Sequence, residues 1–261
     1  MSAPAPAVPV ELSEAALRRL VGIARDAGAA IMSWYRAGAE VTAKADGSPL
    51  TSADRAAHEI IDAALKAWDP AVPVVSEEGE LPPAEERRKW RRFWLVDPLD
   101  GTKEFISRNG EFTVNIALIE DGEPVLGVVL APALPRLWYA GRGLGAWSEG
   151  PSDPAIRIHS EPSAPGAPLI VVESRSHPSE RLERYLETIV VSERIQAGSS
   201  LKFCLVAEGK ADIYPRFGPT MEWDVAAGDC IFRYSGVGAP RQSTLRYNKP
   251  DLRNGDFILG A

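Results

Sequence analysis

The stretch Trp94-Leu95-Val96-Asp97-Pro98-Leu99-Asp100-Gly101-Thr102-Lys103-Glu104-Phe105 sets the tightest constraint on the fold. Its apolar start reads as a buried strand over Phe93 to Asp97, and Pro98 predicts the end of that strand because it has no N–H for a ladder bond. Asp100 follows three residues later, and Gly101 permits a tight turn into a helix. Two carboxylates so spaced can converge on one point with the Leu99 carbonyl between them. That is an all-oxygen donor set, suited to a hard cation such as Mg²⁺. Taken alone, Asp-Pro-x-Asp-Gly also reads as a plain turn, since these residue types favour turns. The surroundings weigh toward the cation. Glu77 and Glu78 close another apolar run, and Asp224 follows Trp223 at the start of a helix with small residues, Val225-Ala226-Ala227-Gly228.

Around this corner the pattern mixes helices and strands. Leu17, Leu20, Val21, Ala24, Ala27, Gly28 and Ile31 recur at three- and four-residue steps after a cap at Ser13, which predicts a first helix. A second is expected from Thr51 or Ser52 to Trp68, burying Ile60, Ile61, Ala64 and Leu65, with Pro70 as its stop. Strands are expected at Val72 to Ser76, Thr113 to Glu120 and Pro124 to Leu130, the last two joined as a hairpin through Asp121-Gly122. Gly, Pro and Ser break the pattern from Gly141 to Ser152 and from Ser160 to Pro168. Beyond them come a strand at Leu169 to Glu173, helices at Pro178 to Thr188 and Ser199 to Glu208, a strand at Ala211 to Tyr214 and a helix at Trp223 to Tyr234. Strands in runs flanked by helices give a layered α+β or α/β architecture. The expected division is a disordered lead-in over 1–10, an N-terminal α+β half over 11–150 with the acidic motifs, and a C-terminal α/β half over 151–261 completing the site.

A net charge of −7 in 261 residues argues against binding nucleic acid polymers or acidic membranes, which would repel the chain. No apolar run approaches the roughly 20 residues that cross a bilayer. The Ala/Pro-rich start has no basic residue before an apolar stretch, so it does not read as an export signal, and Cys204 and Cys230 are expected reduced and buried. The cytoplasm is the expected compartment. An anionic substrate would need local cations, and Lys202 and Arg216 lead those candidates, ahead of Arg175 and Lys44. His58 and His159 read as structural, His177 as a neighbour of substrate, and Trp34 and Trp68 as core.

Trp94-x-Val96-Asp97-Pro98-Leu99-Asp100-Gly101-Thr102-x-x-Phe105 and Trp223-Asp224-Val225-Ala226-Ala227-Gly228 resemble the two signatures of the inositol monophosphatase superfamily. Lys44 to Asp54, Ser76-Glu77-Glu78 and Gly198-Ser199-Ser200 agree in order, so the resemblance spans about 12–250. Within the superfamily the chain is most similar to the CysQ-type 3'(2'),5'-bisphosphate nucleotidases. Asp100 to Phe105, Ser174-Arg175-Ser176-His177, Gly198 to Gly209 and Tyr214 to Thr220 carry that likeness. One departure is Arg233-Tyr234-Ser235-Gly236, where relatives commonly have Ala-Gly-Gly.

The resemblance implies an αβαβα sandwich and hydrolysis of 3'-phosphoadenosine 5'-phosphate to AMP and phosphate, linked to sulfate assimilation. It assigns Glu77, Asp97, the Leu99 carbonyl, Asp100 and Asp224 as ligands of two or three Mg²⁺ ions. Thr102 would orient the attacking water, Asp54 would draw on the threonine proton, and Glu77 belongs to the catalytic set. Gly101, Thr102, Lys44, Arg175, Ser199, Lys202 and Arg216 would bind a small phosphorylated metabolite. A homodimer is compatible with it. An inositol or sugar phosphate is the alternative substrate, with the same metal chemistry. A metal- or nucleotide-binding module without turnover is the alternative of another class, disfavoured because Thr102, Asp54 and every acidic ligand are present together.

Overall fold

The computed structural model describes residues 10–38, 41–43, 49–176 and 179–260. Helix α1 (Glu14–Ala37) begins where the Ser13 hydroxyl accepts from the Ala16 N–H at 3.2 Å, and it buries the apolar positions read from its spacing. Trp34 on the same helix is exposed, against the expectation that it fills the core, because it lies off the buried stripe. Val10, at the end of the stretch read as lead-in, is buried, and its carbonyl accepts from Arg92 at 2.7 Å. A short antiparallel pair, β1 (Val41–Ala43) and β2 (Pro49–Thr51), precedes α2 (Ser52–Trp68). There the Thr51 hydroxyl caps the helix and Asp54 returns a bond to the Thr51 N–H at 2.7 Å. Ile61 and Leu65 are buried as read, while Ile60 and Ala64 are half-buried.

A seven-stranded sheet follows in chain order: β3 (Val74–Ser76), β4 (Arg92–Asp100), β5 (Thr113–Glu120), β6 (Glu123–Ala131), β7 (Arg136–Gly141), β8 (Gly145–Glu149) and β9 (Ile156–Ile158). The β3/β4 pair is parallel and the others are antiparallel. Two short helices, α3 (Ala84–Arg87) and α4 (Thr102–Ile106), interrupt it. Asp121 and Gly122 both take positive φ, 53° and 79°, the type I′ geometry that a two-residue hairpin needs.

A second sheet has the order β11 (Val191–Ala197), β10 (Leu169–Ser174), β12 (Ile213–Arg216), β15 (Phe257–Gly260), with α5 (Glu180–Leu186) and α6 (Leu201–Ala207) between its strands. The pair β13 (Thr220–Met221) and β14 (Arg253–Asn254) flanks α7 (Glu222–Tyr234). Helices α1 and α2 cover one face of the large sheet, and α6 and α7 fill the space between the sheets. Leu182 and Leu186 of α5 pack on Val171 and Ile213 from outside. The layers therefore run αβαβα, as the resemblance implied.

Two stretches differ from the sequence reading. The glycine-rich 141–145 segment is a hairpin loop between β7 and β8, and β9 extends the same sheet past residue 150. Strand β11 was not expected because it is an edge strand whose Ser192, Glu193 and Arg194 are exposed, so no apolar run announces it. The departure at Arg233 has a structural role. Its guanidinium holds Asp229 and the Leu245 carbonyl, each at 2.9 Å, and Arg87 holds the Lys249 and Pro250 carbonyls at 3.0 Å.

Candidate active site

Strand β4 does not end at Pro98. Asp97 stands opposite Asn115 and Asp100 opposite Thr113, so three steps on β4 match two on β5 and Pro98-Leu99 form a bulge. A proline is tolerated in a strand at such a place. The bulge also decides where the acids point. In a regular strand residues three apart face opposite sides, and the extra residue returns Asp100 to the side of Asp97. That side faces the layer between the sheets, where Phe93 and Leu95 of β4 also point, whereas Trp94 and Val96 face α1 and α2.

The other acids arrive from neighbouring elements. Glu77 follows β3, and its N–H donates to the Val96 carbonyl at 3.1 Å, which fixes it beside β4. Asp224 sits in the first turn of α7 and accepts from the Met221 N–H at 2.8 Å. Oxygens of Glu77, Asp97 and Asp224 all lie within 4.8 Å of one another. Burial pushes the Asp97 carboxyl well above the usual range, and Glu77, Asp100 and Asp224 push it further. Asp224 is raised well above by burial and then by Asp100. Asp100 is raised by burial too, although the Ser199 hydroxyl, Lys202 and Asn115 act against it. Among the described residues no lysine or arginine forms an ion pair with Asp97, Asp100 or Asp224. Buried carboxylates crowded together, in no ion pair among the described residues, fit divalent metal of the Mg²⁺ type.

A cleft of about 340 Å³ opens on this cluster. Of the residues singled out from sequence, Glu77, Asp100, Gly101, Thr102, Ser199, Lys202, Arg216 and Asp224 line it. Asp97 lies beneath the floor, 1% exposed, and the Leu99 carbonyl accepts from the Thr102 hydroxyl at 3.5 Å. Asp54 does not line the cleft. It is buried in the α2 cap, and the packing of α4 against β2 brings that cap to the same corner as Thr102. Lys44 and His177 lie outside the described residues. His58 pairs with the Ser76 hydroxyl at 2.9 Å, one residue from Glu77, while His159 is exposed.

The remaining candidates are engaged with protein. The Ser199 hydroxyl donates to Asp100 Oδ2 at 2.6 Å. Arg175 is absent from the cleft lining: its guanidinium grips Glu111 at 2.7 and 2.8 Å, and Glu111 in turn accepts from the Gly198 N–H at 2.8 Å. A side chain at Gly198 would stand 2.7 Å from the Glu111 carbonyl, so glycine is needed for that approach. Lys202 is buried, donates to the Ala197 and Ser199 carbonyls, and keeps its third N–H without a partner among the described residues. Burial lowers its pKa to about 8, with Asp100 opposing that fall. Arg216 bonds the Pro219 carbonyl at 3.3 Å, and its buried Nε has no partner among the described residues.

Sequence reasoning missed Thr113, Asn115, Glu104, Ser174, Tyr214 and Thr220. Asn115 donates to Asp100 Oδ2 at 3.3 Å and to the Ser200 hydroxyl at 3.0 Å, and Ser200 donates to the Asp224 carbonyl at 2.7 Å. A usable signal was present. Thr113 and Asn115 are polar residues at inward positions of an otherwise apolar strand, which a core tolerates only when they are bonded.

Comparison with known proteins agrees with this geometry. Residues 13–258 match the Inositol monophosphatase family. The 3'(2'),5'-bisphosphate nucleotidase CysQ of Salmonella typhimurium (strain LT2) is 52% identical over 224 residues, 85% of this chain and 88% of the relative. The protein of the same name from Escherichia coli K12 is 50% identical over 223 residues, with the same coverage. Among solved structures, CysQ from Bacteroides thetaiotaomicron superposes with a TM-score of 0.79 at 43% identity, covering 95% of this chain and 97% of that one. Matched over nearly its whole length, the chain belongs to the inositol monophosphatase family.

Proposed function

We propose that the chain is a 3'(2'),5'-bisphosphate nucleotidase that hydrolyses 3'-phosphoadenosine 5'-phosphate to AMP and phosphate with Mg²⁺. One observation carries the reading. Asp100 and Asp224, in no ion pair among the described residues, line one cleft together with the cationic Lys202 and Arg216. A dianion needs a cation on one side and donors on the other. The relatives named CysQ support the choice of substrate.

In this reading Glu77, Asp97, Asp100, Asp224 and the Leu99 carbonyl hold two or three Mg²⁺ ions. Bound there, Mg²⁺ neutralises the phosphoryl dianion, lowers the pKa of water and stabilises the leaving oxygen. The chain's own groups do the rest. The Thr102 hydroxyl orients the attacking water, and Asp54, held in its cap, draws on the threonine proton. Gly101 and Thr102 offer N–H groups to the reacting phosphate. Helix α4 is only five residues long, so these act as single donors and not through a macrodipole. Lys202 and Arg216 take the substrate's negative charge, the guanidinium fork suiting the second phosphate. Ser199 contributes by fixing Asp100, and Arg175 by fixing Glu111 and the Gly198 turn. The halves 11–150 and 151–261 each supply one wall, and the cytoplasm is the proposed compartment.

The test is phosphate release from equal concentrations of 3'-phosphoadenosine 5'-phosphate, inositol 1-phosphate and fructose 1,6-bisphosphate, with Mg²⁺ and with EDTA. Fast, chelator-sensitive release from the nucleotide alone is expected. Preference for either other ester overturns the substrate assignment.

A further inference from the structure

Glu104 lines the cleft, is only 5% exposed, and carries a charge of the same sign as the substrate. Its Oε1 accepts from the Ser176 hydroxyl. No ion pair with lysine or arginine engages it among the described residues. Its Oε2 lies against Gly101: a Cβ built there would stand 3.3 Å away. Gly101 sets no side chain against Oε2, and Glu104 lines the same cleft as Asp100 and Thr102, where the reacting phosphate belongs. An ionised carboxylate can only accept hydrogen bonds. Placed there it cannot face a phosphate oxygen, and it matches a neutral donor next to the phosphate.

We infer that Glu104 is a specificity-determining residue, whose free oxygen accepts a hydrogen bond from the ribose hydroxyl adjacent to the phosphate being removed. The inference rests on the nucleotidase reading above. In a 3'-phosphate that donor is the 2'-hydroxyl, and in a 2'-phosphate it is the 3'-hydroxyl, so one residue serves both isomers. The same negative charge turns the 5'-phosphate away from α4 and toward Arg216. Ser176 and Gly101 then serve the same end, the first by orienting the carboxylate and the second by leaving it open.

The experiment compares kcat/KM for 3'-phosphoadenosine 5'-phosphate and its 2'-deoxy analogue in wild type, Glu104→Gln, Glu104→Ala and Ser176→Ala, with thermal unfolding of each variant. A hydrogen bond to a charged acceptor predicts a wild-type preference for the ribose compound of roughly 10- to 100-fold. Glu104→Ala brings the ratio to about one by slowing the ribose substrate alone, and Glu104→Gln, a neutral acceptor, gives a ratio in between. Ser176→Ala keeps most of the preference. A wild-type ratio near one, a ratio unchanged in Glu104→Ala, or a ratio erased equally by Ser176→Ala overturns the inference while the nucleotidase reading stands. Release from neither nucleotide, with release from an inositol or sugar ester, fails that reading and the inference together.

Discussion

The cleft has two corners built by opposite means. The Asp97–Thr102 corner is local: a bulge in one strand, a proline that fits it and a glycine at φ 90° aim two acids and a hydroxyl within six residues. The Gly198–Lys202 corner is assembled from a distance. Ser199 bonds Asp100, Ser200 bonds Asp224, Gly198 bonds Glu111, and Glu111 is held by Arg175. Ser199 itself takes φ 51°, a conformation a non-glycine residue keeps only when its surroundings demand it. The first corner takes its shape chiefly from its own backbone. The second, although Leu201 and Lys202 open α6, is held in place by those distant partners. Damage to the local corner should therefore abolish chemistry, and damage to the assembled corner should weaken binding by degrees.

The sharpest break is Asp97→Asn. Loss of a metal ligand forfeits several kcal/mol of transition-state stabilisation, roughly a 10³-fold fall in kcat or more. In EDTA the same change should stabilise the protein, because it removes one buried charge that Glu77, Asp100 and Asp224 oppose. A gain of about 1 kcal/mol would raise Tm by roughly 2–4 °C in a chain of this size. Kinetics and a melting curve check both parts, and near-normal turnover would remove Asp97 from the site.

On the assembled side, Lys202 provides a pH signature. Its pKa near 8 means the cationic, phosphate-binding form is lost as pH rises through 8, so kcat/KM should fall about tenfold per unit above the break. Asp100 raises this pKa, and Mg²⁺ on Asp100 weakens that effect, which moves the break lower. Lys202→Arg, which does not titrate, should flatten that limb.

The acidic corner has the opposite linkage. Asp97, Asp100 and Asp224 have folded pKa values above the unfolded one, so the folded state binds more protons across that window. Stability of the metal-free protein must then fall as pH rises from about 4 through the raised values. Saturating Mg²⁺ should remove most of this slope by binding the ionised form. Melting curves from pH 4 to 8 with and without Mg²⁺ measure it, and parallel curves would mean that the acids are balanced by other groups.

The two corners also differed in how far they could be read in advance. The Asp97–Thr102 segment declares its chemistry because its residues are neighbours in sequence. Periodicity and the Asp121-Gly122 turn made a layered helix-and-strand architecture legible, whereas the αβαβα order came from the resemblance. The bulge at Pro98 was not, since a proline after an apolar run equally signals the end of a strand. Lys202 and Arg216 were found by asking what could balance an anion. The engagement of Ser199 with Asp100 could not be read, because it joins residues 99 positions apart. Strand β11 was hidden because it is a polar edge, whereas Asn115 was legible in principle as a polar residue within an apolar run.

Arg175 gives the smallest effect and the finest test of the comparison. The resemblance put it among substrate-binding residues, whereas its side chain is 40% exposed and its guanidinium is doubly bonded to Glu111. Such a pair is worth roughly 0.2–1 kcal/mol, so Arg175→Ala should raise KM at most about fivefold if the residue only braces the Gly198 turn. Glu111 holds the Gly198 N–H itself, so Glu111→Gln, which weakens both of its bonds, should match or exceed that loss. The double variant should then cost little more than Glu111→Gln alone, since both act through one contact. A direct substrate contact predicts the reverse. Arg175→Ala would then cost far more than Glu111→Gln, and the loss would be specific to the bisphosphate over a monophosphate. Steady-state kinetics on the three variants decides between a brace and a ligand.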